Sequence, residues 1–369
     1  MSLNPLRNTP RNADLGMLHE SFFIAAVVTI VGIRTQLWLT HYPQLGGHGL
    51  HIAHLLWGGL LMTIALAILL SLLGRRARQP AAIIGGVGFG FFIDELGKFI
   101  TADNNYFYKP AAAIIYLVFV GLFLFSRAYQ RRRGLNEAER VRNAIELIGE
   151  ATQGPFRQEY RDRALRLLGG VSADNPLREP LLGLAKQLET TPDPDPPWYQ
   201  RLADSAAERY AGWTQRRWFH RIVIGVFVVW GLASIVAILG LVFSLGFSED
   251  AARHGFESDS IKDLTFVNWA SACSTGLSAA LVVVGLGRLL RGDRLDAYIW
   301  LSRALLISIF VTRVFAFVES QFGALFGLAV DVLLLVSVRL LAQQERLRDN
   351  RSADASARRL PEGPLQEAV

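Results

Sequence analysis

Eight long runs of apolar residues constrain this chain more than any other feature of its sequence. They cover 22–39, 51–73, 81–101, 110–126, 222–246, 267–288, 297–318 and 322–341. Each run is close to the length of about 20 residues that an α-helix needs to cross a bilayer. Hydrophobic residues make up 51% of the chain and charged residues only 19%, a balance unusual for a soluble domain. The sequence therefore predicts an all-α, polytopic membrane helix bundle with about eight spanning helices.

A polar segment divides the predicted bundle into two halves of four helices. We expect a first membrane half over 1–127, a small helical module over 128–220 and a second membrane half over 221–345. Within the module, the four prolines of 191–197 predict a stiff linker. The polar residues 346–369 predict a disordered tail. The halves match in pattern, which is consistent with a tandem repeat or simply with two hairpin-rich halves.

Basic residues flank the apolar runs mainly on one side of the predicted bundle. The chain carries a net charge of +6, and arginine greatly outnumbers lysine, a bias typical of a bacterial genome rich in G and C. Arginine-rich flanks mark the cytoplasmic side of a membrane protein. We therefore expect a multi-pass protein of the bacterial plasma membrane with both termini in the cytoplasm. The bilayer is its expected partner, nucleic acid is not, and the polar module is a candidate surface for a protein partner.

The third apolar run contains three ionisable residues, Asp94, Glu95 and Lys98. Each costs about 2.5–3.5 kcal/mol at the centre of a spanning helix on insertion scales. Such residues usually face protein or water and often mark a functional site. A helix rises 1.5 Å per residue, so polar side chains of the first three runs fall within roughly 10 Å of the same depth near the outer surface. This predicted polar cluster comprises Arg34, His51, His54, Asp94, Glu95 and Lys98.

The polar cluster favours a proton- or ion-coupled transporter as the leading function. Histidine titrates near neutral pH, and chains of carboxylates and histidines are typical of membrane pumps and transporters. In this interpretation Asp94 and Glu95 are the centre, His51 and His54 are their proton partners, and the basic residues are counter-charges. Alternatively, the cluster is a structural network of ion pairs with no functional role, because Arg34 and Lys98 balance the charges of Asp94 and Glu95.

Two further functions remain open from the sequence. His51 and His54 with Glu95 would supply nitrogen and oxygen ligands for zinc or iron, as in a metal-dependent intramembrane enzyme acting on a lipid-like substrate. A nearby lysine and arginine would repel a cation, which weighs against this site. The other function is a non-catalytic membrane scaffold whose polar module binds a partner. No catalytic residue is assigned, and no cofactor other than such a metal is indicated.

The second half has its own candidate ion pair. Arg313 lies in the seventh run and Asp331 in the eighth, at depths that would let them meet across a short outer turn. A structural salt bridge is the favoured interpretation of that pair.

Gly86 and Gly90 have the small-xxx-small spacing that lets a spanning helix approach a neighbour closely.

The segment 48–125 resembles a broad set of bacterial multi-pass membrane proteins. The resemblance is carried by His48-Gly49-Leu50-His51-Ile52-Ala53-His54, by Trp57-Gly58-Gly59, by Phe91-Phe92-Ile93-Asp94-Glu95 and by Tyr106-Phe107-Tyr108. Those proteins pair a histidine-rich start of one span with an acidic Asp-Glu in the next. The resemblance covers about a third of the chain and implies a membrane bundle, but no activity. Ala53 interrupts the histidine run that is denser in that set.

Overall fold

The computed structural model describes residues 9–40, 54–95, 110–131, 134–196, 198–253 and 266–357. Within these ranges the chain is helical almost throughout, as the sequence predicts. The exception is one pair of two-residue parallel strands, β1 (Phe156–Arg157) and β2 (Thr190–Thr191). The chain divides into two compact units, Met1–Asp195 and Pro196–Val369. The division falls within the proline-rich linker.

In the first unit, the described residues form four long α-helices followed by three shorter ones. The long helices are α1 (Leu15–Leu39), α2 (His54–Ser71), α3 (Arg75–Asp94) and α4 (Pro110–Arg131). The shorter helices are α5 (Glu137–Gly149), α6 (Gln158–Gly169) and α7 (Arg178–Gln187). These three pack on one another around a small apolar core of Leu147, Ile148, Ala164 and Ala185.

Helix α3 packs tightly against both α1 and α2, and glycine makes this possible. A Cβ atom at Gly86 would lie 2.3 Å from the carbonyl oxygen of Phe22 on α1, and one at Gly90 would lie 2.7 Å from the carbonyl oxygen of Ala26 on the same helix. Gly88 meets Gly58 of α2, where an added Cβ would lie 2.8 Å from the Gly58 carbonyl oxygen. The small-residue surface predicted at Gly86 and Gly90 is therefore confirmed. Backbone-to-backbone contact fixes α3 between its two neighbours.

The described residues of the second unit form six α-helices. They are α8 (Trp198–Thr214), α9 (Arg217–Arg253), α10 (Phe266–Leu290), α11 (Arg294–Ile307), α12 (Arg313–Ser320) and α13 (Ala324–Ala357). A π-helical turn, Ser308–Thr312, joins α11 to α12, and a short 3₁₀ turn, Gln321–Gly323, leads into α13. The core of this unit includes Phe227, Val282, Tyr298, Leu301, Leu305 and Val338. Helix α13 continues into the segment predicted to be a disordered tail.

Six segments of the described chain are long and apolar enough to cross a membrane, which is compatible with a multi-pass membrane protein. They are Leu15–Leu37, His54–Ser71, Pro110–Gln130, Trp218–Val236, Trp269–Leu290 and Arg294–Arg348. The predicted number of eight is not confirmed. The third predicted span, 81–101, is described only as far as Glu95, and its described part is not among these six segments. The last two predicted spans fall within the single segment Arg294–Arg348, which is 55 residues long.

Candidate functional site

Asp94 and Glu95 lie where α3 ends, and both side chains are buried. Asp94 is the last residue of the helix and Glu95 caps it; their exposed fractions are 1% and 0%. The glycine contacts bring α3 so close to α1 and α2 that little space remains for solvent around its end. Two adjacent carboxylates are therefore enclosed by protein, an arrangement that is costly unless each has a partner.

The partner of Asp94 is Arg34, which lies near the end of α1. Arg34 Nε donates to Asp94 Oδ1 at 2.6 Å, and Arg34 Nη2 donates to the carbonyl oxygen of Asp94 at 3.0 Å. An arginine does not lose its proton in proteins. The guanidinium therefore places a permanent positive charge beside Asp94 and joins the end of α1 to the end of α3.

The contacts of Glu95 are of a different kind. Glu95 Oε2 accepts a hydrogen bond of 3.0 Å from the backbone N–H of Leu55. This amide belongs to the first turn of α2, whose N–H groups have no partner within the helix. Glu95 Oε1 lies 3.7 Å from Nδ1 of His54, the first residue of α2. Glu95 thus contacts the N-terminus of α2 and the one imidazole of the predicted cluster that the structure describes.

His54 stands between the buried carboxylate and the surface. Its ring stacks on Phe91 with centroids 6.0 Å apart and an interplanar angle of 22°. The side chain of His54 is 22% exposed, whereas that of Glu95 is fully buried. The imidazole is therefore accessible from the surroundings, whereas the carboxylate that its Nδ1 faces is not.

Two members of the predicted cluster, His51 and Lys98, lie outside the described residues. The metal ligand set of His51, His54 and Glu95 therefore stays a prediction. In the part of the chain that the structure describes, no group of three or more His, Cys, Asp or Glu side chains could hold a metal ion. Of the predicted cluster, the structure brings together Arg34, Asp94, Glu95 and His54.

In the second unit, Arg313 Nε donates to Asp331 Oδ2 at 2.7 Å. The same oxygen accepts a hydrogen bond of 2.8 Å from Ser308 Oγ, at the first residue of the π-helical turn. Asp331 is 4% exposed. Gly327 leaves room for the guanidinium, because a Cβ there would meet Arg313 Nη1 at 2.1 Å. The sequence did not indicate Ser308, since a π-helical turn has no distinctive residue pattern.

A second set of ion pairs, which sequence reasoning missed, fastens α5 to the arginine-rich end of the first unit. Glu139 faces Arg11 at 2.7 Å, and Glu146 faces Arg78 at 2.7 Å. The third carboxylate, Glu150 just after α5, lies 3.0 Å from Arg76. The sequence analysis interpreted the arginines as markers of membrane topology. The acidic residues that bind these arginines are distant in sequence, so the sequence did not predict the ion pairs.

Glu139 is the most firmly held of these carboxylates. Arg11 Nε and Nη2 donate to its two oxygens at 2.7 and 3.0 Å. Glu139 also forms a capping box with Asn136 at the start of α5. The hydrogen bonds from Arg11 lower the pKa of Glu139 to about 2, against the opposing effect of burial. The same hydrogen bonds raise the pKa of Arg11 above its ordinary value.

Comparisons of this chain with protein-family models, with curated proteins and with solved structures found no match. The candidate function therefore depends on the geometry of the site.

Proposed function

We propose that this chain is a proton-coupled membrane transporter in which Glu95 and His54 carry the coupling proton. The observation that supports this most is a fully buried carboxylate 3.7 Å from a partly exposed imidazole. Histidine changes its charge between about pH 5 and 8. Carboxylates and histidines in spanning helices commonly form proton relays in pumps and transporters.

The proposal places Glu95 inside the membrane, although α3 is not among the six segments that are long and apolar enough to cross it. Helix α3 packs along α1 at Gly86 and Gly90 and along α2 at Gly88. Both neighbours are long and apolar enough to cross a bilayer. A helix in backbone contact with two spanning helices shares their depth. The arginines that begin α3 would then lie at the cytoplasmic surface and its carboxylates near the outer one.

The described contacts of the two acidic side chains differ, and we assign the coupling proton to Glu95. Asp94 faces a guanidinium that remains charged, so protonation of Asp94 would break an ion pair that joins α1 to α3. Glu95 faces an imidazole that gains and loses a proton readily. A proton taken up by His54 can move to Glu95 once a rotation of the imidazole shortens the gap of 3.7 Å. We therefore assign a fixed structural pair, Asp94 with Arg34, and a titrating pair, Glu95 with His54.

The titration of Glu95 is testable without knowledge of the substrate. Infrared difference spectra of the full-length protein in lipid nanodiscs, recorded between about pH 5 and 8, report the carbonyl stretch of a protonated carboxyl. We expect such a band in the wild type, its loss in Glu95→Gln and its retention in Asp94→Asn. Glu319→Gln is the matched control, because Glu319 is exposed.

Proton uptake by liposomes provides the second measurement. With a potential imposed by a potassium gradient and an ionophore, liposomes with the wild type should acidify faster than empty ones, and Glu95→Gln should abolish the difference. A carboxyl band that survives in Glu95→Gln, or a wild type that behaves like empty liposomes, would refute the relay. If Glu95→Gln instead lowers only the thermal stability, the polar cluster is structural.

A further inference from the structure

A basic cavity of about 450 Å³ lies at one end of the second unit. It forms where the start of α9, the start of α11 and the C-terminal part of α13 converge. Its charged and titratable lining consists of Arg216, His220, Arg221, Arg294, Glu345 and Arg348. The volume is within the range of about 300–1,000 Å³ that is typical of small-molecule sites. The proton pathway proposed above does not use this cavity.

The charge of the cavity is strongly positive, with four guanidinium groups and one carboxylate. Glu345 Oε1 lies 3.4 Å from Arg294 Nη1 and 3.3 Å from Arg348 Nη1. It therefore holds two arginines in place while neutralising only one charge. Arg216 and Arg221 form no ion pair with any residue that the structure describes. These two arginines are therefore available to an anion.

The inner wall of the cavity is fixed by hydrogen bonds to the core. The ring nitrogens of His220 lie 3.0 and 3.1 Å from the hydroxyl of Tyr298, whose side chain is buried. Gln344 Nε2 donates to Thr214 Oγ1 at 2.9 Å, joining α13 to the end of α8. These contacts preorganise the wall, so that an incoming anion need order only the arginine side chains.

The position of the cavity relative to the apolar segments indicates where its ligand comes from. It lies beside the start of Trp218–Val236 and the start of Arg294–Arg348. Trp218, at the beginning of the first of these, is 45% exposed. Exposed tryptophans at the end of a spanning helix lie at the level of lipid headgroups. Basic pockets between helices at this level are suited to anionic headgroups.

From this geometry we propose that the cavity binds a phosphate group. Guanidinium groups match phosphate because their paired N–H donors fit two of its oxygens. The phosphate belongs either to the headgroup of an anionic phospholipid or to a soluble phosphate ester, and both present the same chemistry to the arginines. The headgroup is the source that the depth of the cavity favours.

Native mass spectrometry of the full-length protein in neutral detergent tests the site and separates the two sources. The probes are phosphatidylglycerol, glycerol 3-phosphate and, as a lipid without phosphate, monogalactosyl diacylglycerol, all at constant ionic strength. We expect binding of a phosphate-bearing probe and none of the galactolipid. Arg221→Gln and Arg294→Gln should each weaken that binding roughly tenfold, as loss of one charge-assisted hydrogen bond implies.

Arg291→Gln is the matched control, since Arg291 is an exposed arginine of the same unit outside the cavity lining. Binding of phosphatidylglycerol alone supports the site and assigns it to a headgroup. Binding of glycerol 3-phosphate supports the site and assigns it to a soluble ester. The proposal is overturned if neither probe binds, if the galactolipid binds equally well, or if Arg291→Gln weakens binding as much as the cavity variants do.

Discussion

Replacing Glu139 by glutamine should release α5 from the arginine-rich end of the first unit at neutral pH. The reason is the bidentate contact with Arg11, which lowers the pKa of Glu139 from 4.5 to about 2. At about 1.4 kcal/mol per pH unit, this difference corresponds to about 3 kcal/mol of stability. Glutamine preserves the shape of the side chain and its capping role at the start of α5. The substitution therefore removes mainly the charge.

The pH dependence follows from the direction of the change in pKa. A carboxyl whose pKa is lower in the folded state contributes its full stabilisation above the unfolded value, here 4.5. That contribution falls as the pH drops towards 2 and is absent below it. Wild type and Glu139→Gln should therefore differ at pH 7 and become alike in strong acid.

Amide hydrogen exchange of α5 in the full-length protein measures this difference, because exchange reports the free energy of local opening. A loss of about 3 kcal/mol corresponds to a fall in the protection of the α5 amides of roughly a hundredfold. Glu189→Gln is the control, because Glu189 is exposed and forms no ion pair with a described residue. Equal protection of wild type and Glu139→Gln at pH 7, or a difference that persists unchanged in strong acid, would refute the reasoning.

Three other substitutions test the packing, the metal alternative and the second buried aspartate. Gly86→Ala should destabilise the first unit by about 1–3 kcal/mol through overpacking against α1, whereas Gly121→Ala, which points into open space, should not lower the melting temperature. If a metal is bound, elemental analysis should find zinc or iron in purified wild type and not in the double variant His51→Ala/His54→Ala; equally low metal in both would refute that alternative. Asp331→Asn should lower the free energy of unfolding by about 1–3 kcal/mol, as measured by denaturant titration, because the partly exposed guanidinium of Arg313 loses its charged partner.

The meeting of Arg34 with Asp94 illustrates what a sequence can predict about a membrane bundle. The rise per residue of a helix is fixed, and consecutive spans run in opposite directions, so the depth of each polar residue follows from its position in its run. Two residues 60 positions apart could therefore be placed at one level before their contact was known. Depth alone does not predict which side chain each carboxylate contacts. The sequence therefore provided no reason to distinguish Asp94 from Glu95.

The contacts of α5 could not be predicted in this way. Outside the apolar runs no bilayer fixes the level of a residue, and the partner of Glu139 is 128 positions away at Arg11. The sequence predicted a helical module over 128–220 but not the surface to which α5 binds. The predicted boundaries of the module likewise stay a prediction, although the structure divides within the proline-rich linker. Tertiary ion pairs between distant segments require coordinates.

Both units bury an aspartate beside an arginine. Asp94 with Arg34 and Asp331 with Arg313 are pairs in which the guanidinium keeps its charge. Glu95 differs because protonation would remove its attraction to a charged His54 while leaving an oxygen that still accepts from the amide of Leu55. The N-terminus of α2 would stay capped in both charge states. Proton uptake could therefore change the contact between imidazole and carboxyl without unfolding the helix that carries the histidine.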